Sequence, residues 1–130
     1  MKVLLGIGGS DDSLQALRGV VARAETAGDD LTVAIVENPR AETTPTDIET
    51  RVRSVVSDSA LSIADESGDG VVIKHISGEP GPRLVELAER EDFDQLVLGG
   101  GKRSPMGKIA VGQIAEYVLV NARVTVKLIR

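Results

Sequence analysis

Five short aliphatic runs, at residues 2–7, 31–36, 71–76, 95–98 and 124–129, recur along the chain with a longer amphipathic stretch between each pair. Runs of this length rich in Val, Ile and Leu read as strands, and strands alternating with helical patterns build a parallel sheet with right-handed crossovers. The runs at 2–7 and 95–98 are apolar almost throughout, the pattern of strands covered on both faces, so both belong at the centre of the sheet. The run at 124–129 alternates more and carries Lys127 among its apolar residues, which marks an edge strand.

The stretches between the runs have helical spacing. Leu14, Leu17, Val20, Val21 and Ala24 repeat every three or four residues, after Ser10 and Asp11 as caps and before Gly28 as a stop. A second helix is expected from Pro45 or Thr46 to Ser67, with Ile48, Val52, Val55, Val56, Leu61 and Ile63 on its apolar side. A third spans 81–90, with Pro82 in its first turn, and a fourth follows Gly112 through Ile114, Ala115, Val118 and Leu119 to about Asn121. The expectation is one domain over residues 1–130, an α/β doubly wound parallel five-stranded sheet in a three-layer sandwich.

Composition removes much chemistry. In 130 residues, 42% of them apolar, one sizeable core can form. The net charge of −5 repels a phosphate backbone, and one Phe and one Tyr give no platform for stacked bases, so no nucleic-acid partner is expected. With no Cys and only His75, thiol catalysis, a Cys or His metal site and a Ser/His triad lack their residues. His75, inside a strand run, reads as structural. The opening MKVLLGIGGSDD turns acidic too soon for a signal peptide, and no apolar stretch is long enough to span a membrane, so the expected location is cytoplasmic. Ten Arg against five Lys in an acidic chain points to a salt-adapted host.

Ligands of open parallel sheets bind beyond the carboxyl ends of the strands, where connections diverge to opposite faces. Two glycine-rich segments fall there. Gly6, Ile7, Gly8, Gly9 and Ser10 follow the first run, but residue 11 is Asp where a dinucleotide fingerprint needs its third glycine. The second, GGGKRSPMGKIAV at 99–111, brings glycine backbone together with Lys102, Arg103 and Lys108, a combination suited to anions. It is no Walker A loop, since Lys102 and Ile109 stand at the required Gly and Ser or Thr positions. Asp11 and Asp12 read as helix-start residues, and Glu86, Glu89, Glu91, Asp92 and Asp94 as a solvated face.

The segments VLLGIGGSDDSLQAL, GEPGPRLVELAEREDFDQLVLGG and GQIAEYVLVNARVTVKLIR, in this order, resemble the universal stress protein (UspA) family over essentially the whole chain. The resemblance implies a flavodoxin-like or adenine nucleotide alpha-hydrolase-like sheet of order 3-2-1-4-5. It also implies a homodimer paired through Val124, Thr125, Val126, Lys127, Leu128 and Ile129, and a stress-response regulatory or protective role without turnover. The family's ATP-binding members carry Gly, two residues, Gly, nine residues, then Gly and Ser or Thr. Here Gly99 and Gly112 match, while Lys102 and Gln113 depart, and Gly8 stands where those members have Asp. The implied crevice is Gly6, Ile7, Gly8, Val36, Leu98, Gly99, Lys102, Arg103, Gly112, Gln113 and Ile114, with ATP, another anion or no ligand left as alternatives. A slow ATPase or other nucleotide-processing enzyme of the same architecture is the rival, and an unnamed protein partner is expected.

Overall fold

The computed structural model describes residues 1–8, 11–37, 44–64, 70–99, 102–103, 109–110 and 113–129. Its elements are β1 (Lys2–Ile7), α1 (Asp11–Ala27), β2 (Asp30–Val36), α2 (Pro45–Ser57), β3 (Val72–Ile76), α3 (Pro80–Arg90), β4 (Gln95–Gly99), β5 (Lys102–Arg103), β6 (Ile109–Ala110), α4 (Gln113–Asn121) and β7 (Thr125–Ile129). Five strands form one sheet in the order β3-β2-β1-β4-β7, and all neighbours are parallel. This is the expected 3-2-1-4-5 order, with β7 as the fifth long strand. The two apolar runs, β1 and β4, lie side by side in the interior, and β7 is an edge.

The pleat sends alternate residues to opposite layers. Val3, Leu5 and Ile7 join Leu17, Val21, Val52 and Val56 of α1 and α2 on one face. Leu4, Leu96 and Leu98 join Leu84, Ala88, Ala115 and Val118 of α3 and α4 on the other. Each aliphatic side chain withdrawn from water this fully stabilises the fold by about 1.5–3 kcal/mol. Gly28 stops α1 in the left-handed region at φ 72, its N–H donating to the Ala24 carbonyl at 2.9 Å. Proline opens α3, where a missing N–H costs no helical bond. Gly81 then lets α4 approach, because a Cβ there would meet the Tyr117 ring at 2.9 Å.

Two expectations are corrected. The second helix stops at Ser57, not Ser67. Ser59 Oγ donates to the Val56 carbonyl at 2.6 Å and accepts from Leu61 N–H at 3.1 Å, so a side chain supplies local bonds that compete with further helix. Leu61 and Ile63 still pack on the core, but from a non-helical segment in which Ile63 bridges Val71 in parallel. The connection after β4 is not wholly irregular either, since Lys102 pairs with Ala110 and Arg103 with Ile109 as a two-stranded antiparallel ribbon.

Candidate functional site

The two ends of the sheet differ. At the amino end, charges tie the chain together. The terminal amine lies 3.4 Å from Asp29, Arg23 lies 3.2 Å from the same carboxylate, and Lys2 N–H donates to the Asp94 carboxylate at 2.7 Å. Lys2 Nζ donates to the Glu91 carbonyl and stands 4.6 Å from the centre of the Phe93 ring. The acidic cluster of 86–94 is therefore more than a solvated face.

The carboxyl end carries the glycine-rich connections. β1 and β4 are adjacent, with Gly6 opposite Leu98. On the other side of β1, Ile7 is opposite Ile35. Connections leave β1 toward the α1 layer and β4 toward the α4 layer, so the topological switch lies between these two strands. Gly6, Ile7, Gly8, Val36, Leu98 and Gly99 are all delivered to this end by their strands.

They do not contribute alike. Ile7, Val36 and Leu98 are buried, so their side chains belong to the core and only their backbone faces outward chemistry. Gly6 is needed for packing, since a Cβ there would come within 2.9 Å of Leu84 Cδ1 and 3.0 Å of Leu98 Cδ2. Gly8 is the reverse case. A Cβ there meets no described atom within 4 Å, and its N–H donates to Ser13 Oγ at 3.3 Å. Ser13, a buried hydroxyl of α1, thus ties the end of β1 to the first turn of α1. Its spacing of five residues from Gly8 is an ordinary helix-start pattern and gave no separate signal in the sequence.

On the other wall, Gln113 and Ile114 are exposed in the first turn of α4, where backbone N–H groups lack partners within the helix. Lys102 and Arg103 lie in β5. Gly112 and Lys108 fall outside the described residues. His75 is far from this arrangement in role as well as element: on β3, its Nε2 is 3.0 Å from Glu49 Oε1 of α2. That hydrogen bond is the main cause holding the Glu49 carboxyl below its ordinary range, with Arg53 adding in the same direction and desolvation opposing. Among the described residues no group of three His, Asp or Glu side chains is placed to hold a metal ion, and no helix is long and apolar enough to cross a membrane.

A parallel 3-2-1-4-5 sheet with glycine turns at its switch point defines the class of doubly wound domains that bind small ligands at the strand ends. A profile described as the Universal stress protein family matches residues 1–130, and the chain belongs to that family. A curated universal stress protein of Methanocaldococcus jannaschii is 29% identical over 68 residues, 52% of this chain and 40% of that protein. One from Methanothermobacter thermautotrophicus is 40% identical over 53 residues, 41% of this chain and 36% of that protein. The matches thus span about two fifths of these curated relatives.

Among solved structures, the universal stress protein UspA from Lactobacillus plantarum aligns with a TM-score of 0.76 at 21% identity, covering 100% of this chain and 97% of the other. A universal stress protein in complex with cAMP aligns with a TM-score of 0.67 at 20% identity, covering 100% and 96%. The Archaeoglobus fulgidus protein in complex with dAMP aligns with a TM-score of 0.64 at 18% identity, covering 100% and 98%. At these identities the likeness is one of fold.

Proposed function

We propose that the chain is a cytoplasmic regulatory module, one domain over residues 1–130, that pairs with a second copy along β7 under the control of an adenine nucleotide in the crevice. The observation that carries this reading is continuity between the crevice and the edge. The connection leaving Gly99 leads directly into α4, and α4 exposes Leu119 and Val120, 47% and 77% accessible. Val126 and Leu128 of the neighbouring β7 pack in the same layer.

The open edge of β7 has a definite set of donors. Asp30 N–H donates to the Met1 carbonyl at 2.9 Å, which in the register of Lys2 with Asp30 turns Val3 and Leu5 toward β2 and Leu4 and Gly6 toward β4. In the register of Val3 with Gln95 the pleat therefore turns Gln95, Val97 and Gly99 toward β1 and Leu96 and Leu98 toward β7. In the parallel register of Leu96 with Val126, the inward backbone groups of β7 are then those of Thr125, Lys127 and Ile129. Val126 and Leu128 present theirs outward.

A ligand in the crevice acts on this edge only through a difference in affinity between the paired and unpaired states. The first N–H groups of α4 and the space beside Gly8 supply an anion contact and room for a ribose. The solved relatives described with cAMP and dAMP support a ligand of this class. A binding role is favoured over a slow ATPase because Gly8 leaves no carboxylate at the end of β1 to orient water or metal.

Calorimetric titration with Mg-ATP, AMP and cAMP tests the ligand. Micromolar binding of at least one is expected, about −8 kcal/mol. Gly8→Asp with Gln113→Ser, which adds a carboxylate in the open space and a hydroxyl at the helix start, should tighten ATP binding about tenfold, the scale of one charge-assisted hydrogen bond. Absence of heat with all three nucleotides in both proteins would contradict this reading.

A further inference from the structure

The opposite edge of the sheet is only partly covered. Glu37 N–H donates to the Ile76 carbonyl at 3.0 Å, so Ile76 turns its backbone toward β2, and the pleat turns Lys74 and Val72 the same way. The N–H and C=O groups of Ile73 and His75 therefore point outward. Val71, earlier in the same outward set, is already paired: its N–H donates to the Ser62 carbonyl at 2.8 Å and its carbonyl accepts from Ala64 N–H at 2.8 Å. The chain thus begins a sixth strand here, in the parallel bridge of Ile63 with Val71. At Ile73 and His75 the ladder has no partner among the described residues.

Beside this stretch a groove of about 480 Å³ separates β3 from α3. Lys74 and Ile76 form its strand wall, and Arg83, Glu86, Leu87 and Arg90 its helix wall. Glu86 is shared by two guanidiniums, Arg83 at 3.5 Å and Arg90 at 3.6 Å. Glu91 is shared by Lys74 at 2.7 Å and Arg90 at 3.8 Å. Three cations therefore divide two carboxylates, and this local excess of positive charge sits in a chain of net charge −5.

We propose that the β3 edge receives an extended acidic segment of a partner protein by strand addition. The segment's main chain bonds to Ile73 and His75, and its carboxylates enter the groove toward Arg83 and Arg90. Main-chain pairing supplies affinity in this mode, and alternate side chains supply specificity. Same-face side chains of a strand repeat about every 6.8 Å, and Arg83 and Arg90 are about 10.5 Å apart along the helix axis, within the combined reach of long guanidinium and glutamate side chains. Each guanidinium has a planar fork suited to a carboxylate, and Ile76 with Leu87 gives the stem of the segment an apolar floor. A nucleic acid would meet the same cations but has no peptide groups to continue the ladder.

The test uses the whole chain and a short capped peptide of alternating valine and glutamate, with binding followed by amide chemical shifts and hydrogen exchange. Saturable binding with new protection at the Ile73 and His75 amides is expected. His75→Pro removes an outward donor at an edge position that accepts proline. Arg83→Glu combined with Arg90→Glu leaves the edge backbone intact. Each should weaken binding about tenfold or more, the scale of losing a directed contact. The proposal is overturned by equal binding of a valine and serine peptide, by protection along β7 instead, or by no binding at millimolar peptide. Displacement of the peptide by an oligonucleotide that also binds the proline variant unchanged would assign the groove to polyanions and overturn it equally.

Discussion

The sheet ends in two open edges whose surroundings are chemically opposed. Along β7 the outward groups are those of Val126 and Leu128, and the neighbouring α4 exposes Leu119 and Val120. Along β3 those of Ile73 and His75 run beside Lys74, Arg83 and Arg90. Among the described residues both edges offer unpaired backbone, which by itself invites any strand. An apolar flank releases free energy as area is buried and suits a lasting, self-complementary contact. An ionic flank gives orientation and rate, while desolvation limits its net gain, and suits a separate partner that comes and goes. One fold therefore separates two kinds of association by what lies next to each outer strand.

The largest effect is expected from Val126→Pro, which deletes an outward donor of β7 without touching the bonds to β4. Light scattering should find monomers, while His75→Pro should remain dimeric. A dimeric Val126→Pro, or a monomeric His75→Pro, would exchange the roles of the two edges. Next is Val120→Asp, which puts a carboxylate in the most exposed apolar position of α4. Its self-association should weaken about tenfold or more, because burying an unpaired charge is costly, with fold stability unchanged to within about 0.5 kcal/mol, as for an ordinary surface site.

The smallest effects belong to the ionic edge. The ammonium of Lys74, hydrogen-bonded to Glu91, holds the Glu91 carboxyl below its ordinary 4.5, with desolvation opposing and further help from Arg90 and Lys2. A depressed folded value means that the contribution is present above the unfolded value and is lost as pH falls through the folded one. Glu91→Gln should thus cost up to about 1 kcal/mol in neutral denaturant unfolding, and the difference from wild type should fade below pH 4.5. A difference that persists in acid would mean that Glu91 matters through packing. Glu49, partly buried and lowered chiefly by its hydrogen bond to His75, has the same sign.

Strand and helix order was legible because it depends on the period of apolar residues, and the central place of β1 and β4 followed from runs with no polar face. The end of α2 was not. Leu61 and Ile63 keep helical spacing, but the Ser59 hydroxyl turns the chain before them, and a side-chain bond of that kind leaves no periodic trace. Gly6 and Gly8 looked equivalent as one glycine-rich segment. Only the facing Leu84 and Leu98 show that the first is sealed by packing, whereas a Cβ on the second meets no described atom within 4 Å. The β3 edge was also hidden, since the Ile63 bridge and the Arg83, Glu86, Arg90 ladder become meaningful only when α3 is laid beside β3. Lys102 and Arg103 read as part of a loop because runs of two residues carry no detectable alternation, yet they pair as β5 with β6.

The central claim is that crevice and β7 edge are thermodynamically linked. Native mass spectrometry of the chain over rising concentrations, alone and with Mg-ATP, AMP or cAMP, measures both events in one experiment. The account predicts a dimer that carries nucleotide, a dimer fraction that changes with nucleotide concentration, and a reciprocal change in nucleotide affinity with protein concentration. A dimer fraction indifferent to every nucleotide, or a chain that stays monomeric throughout, would contradict it.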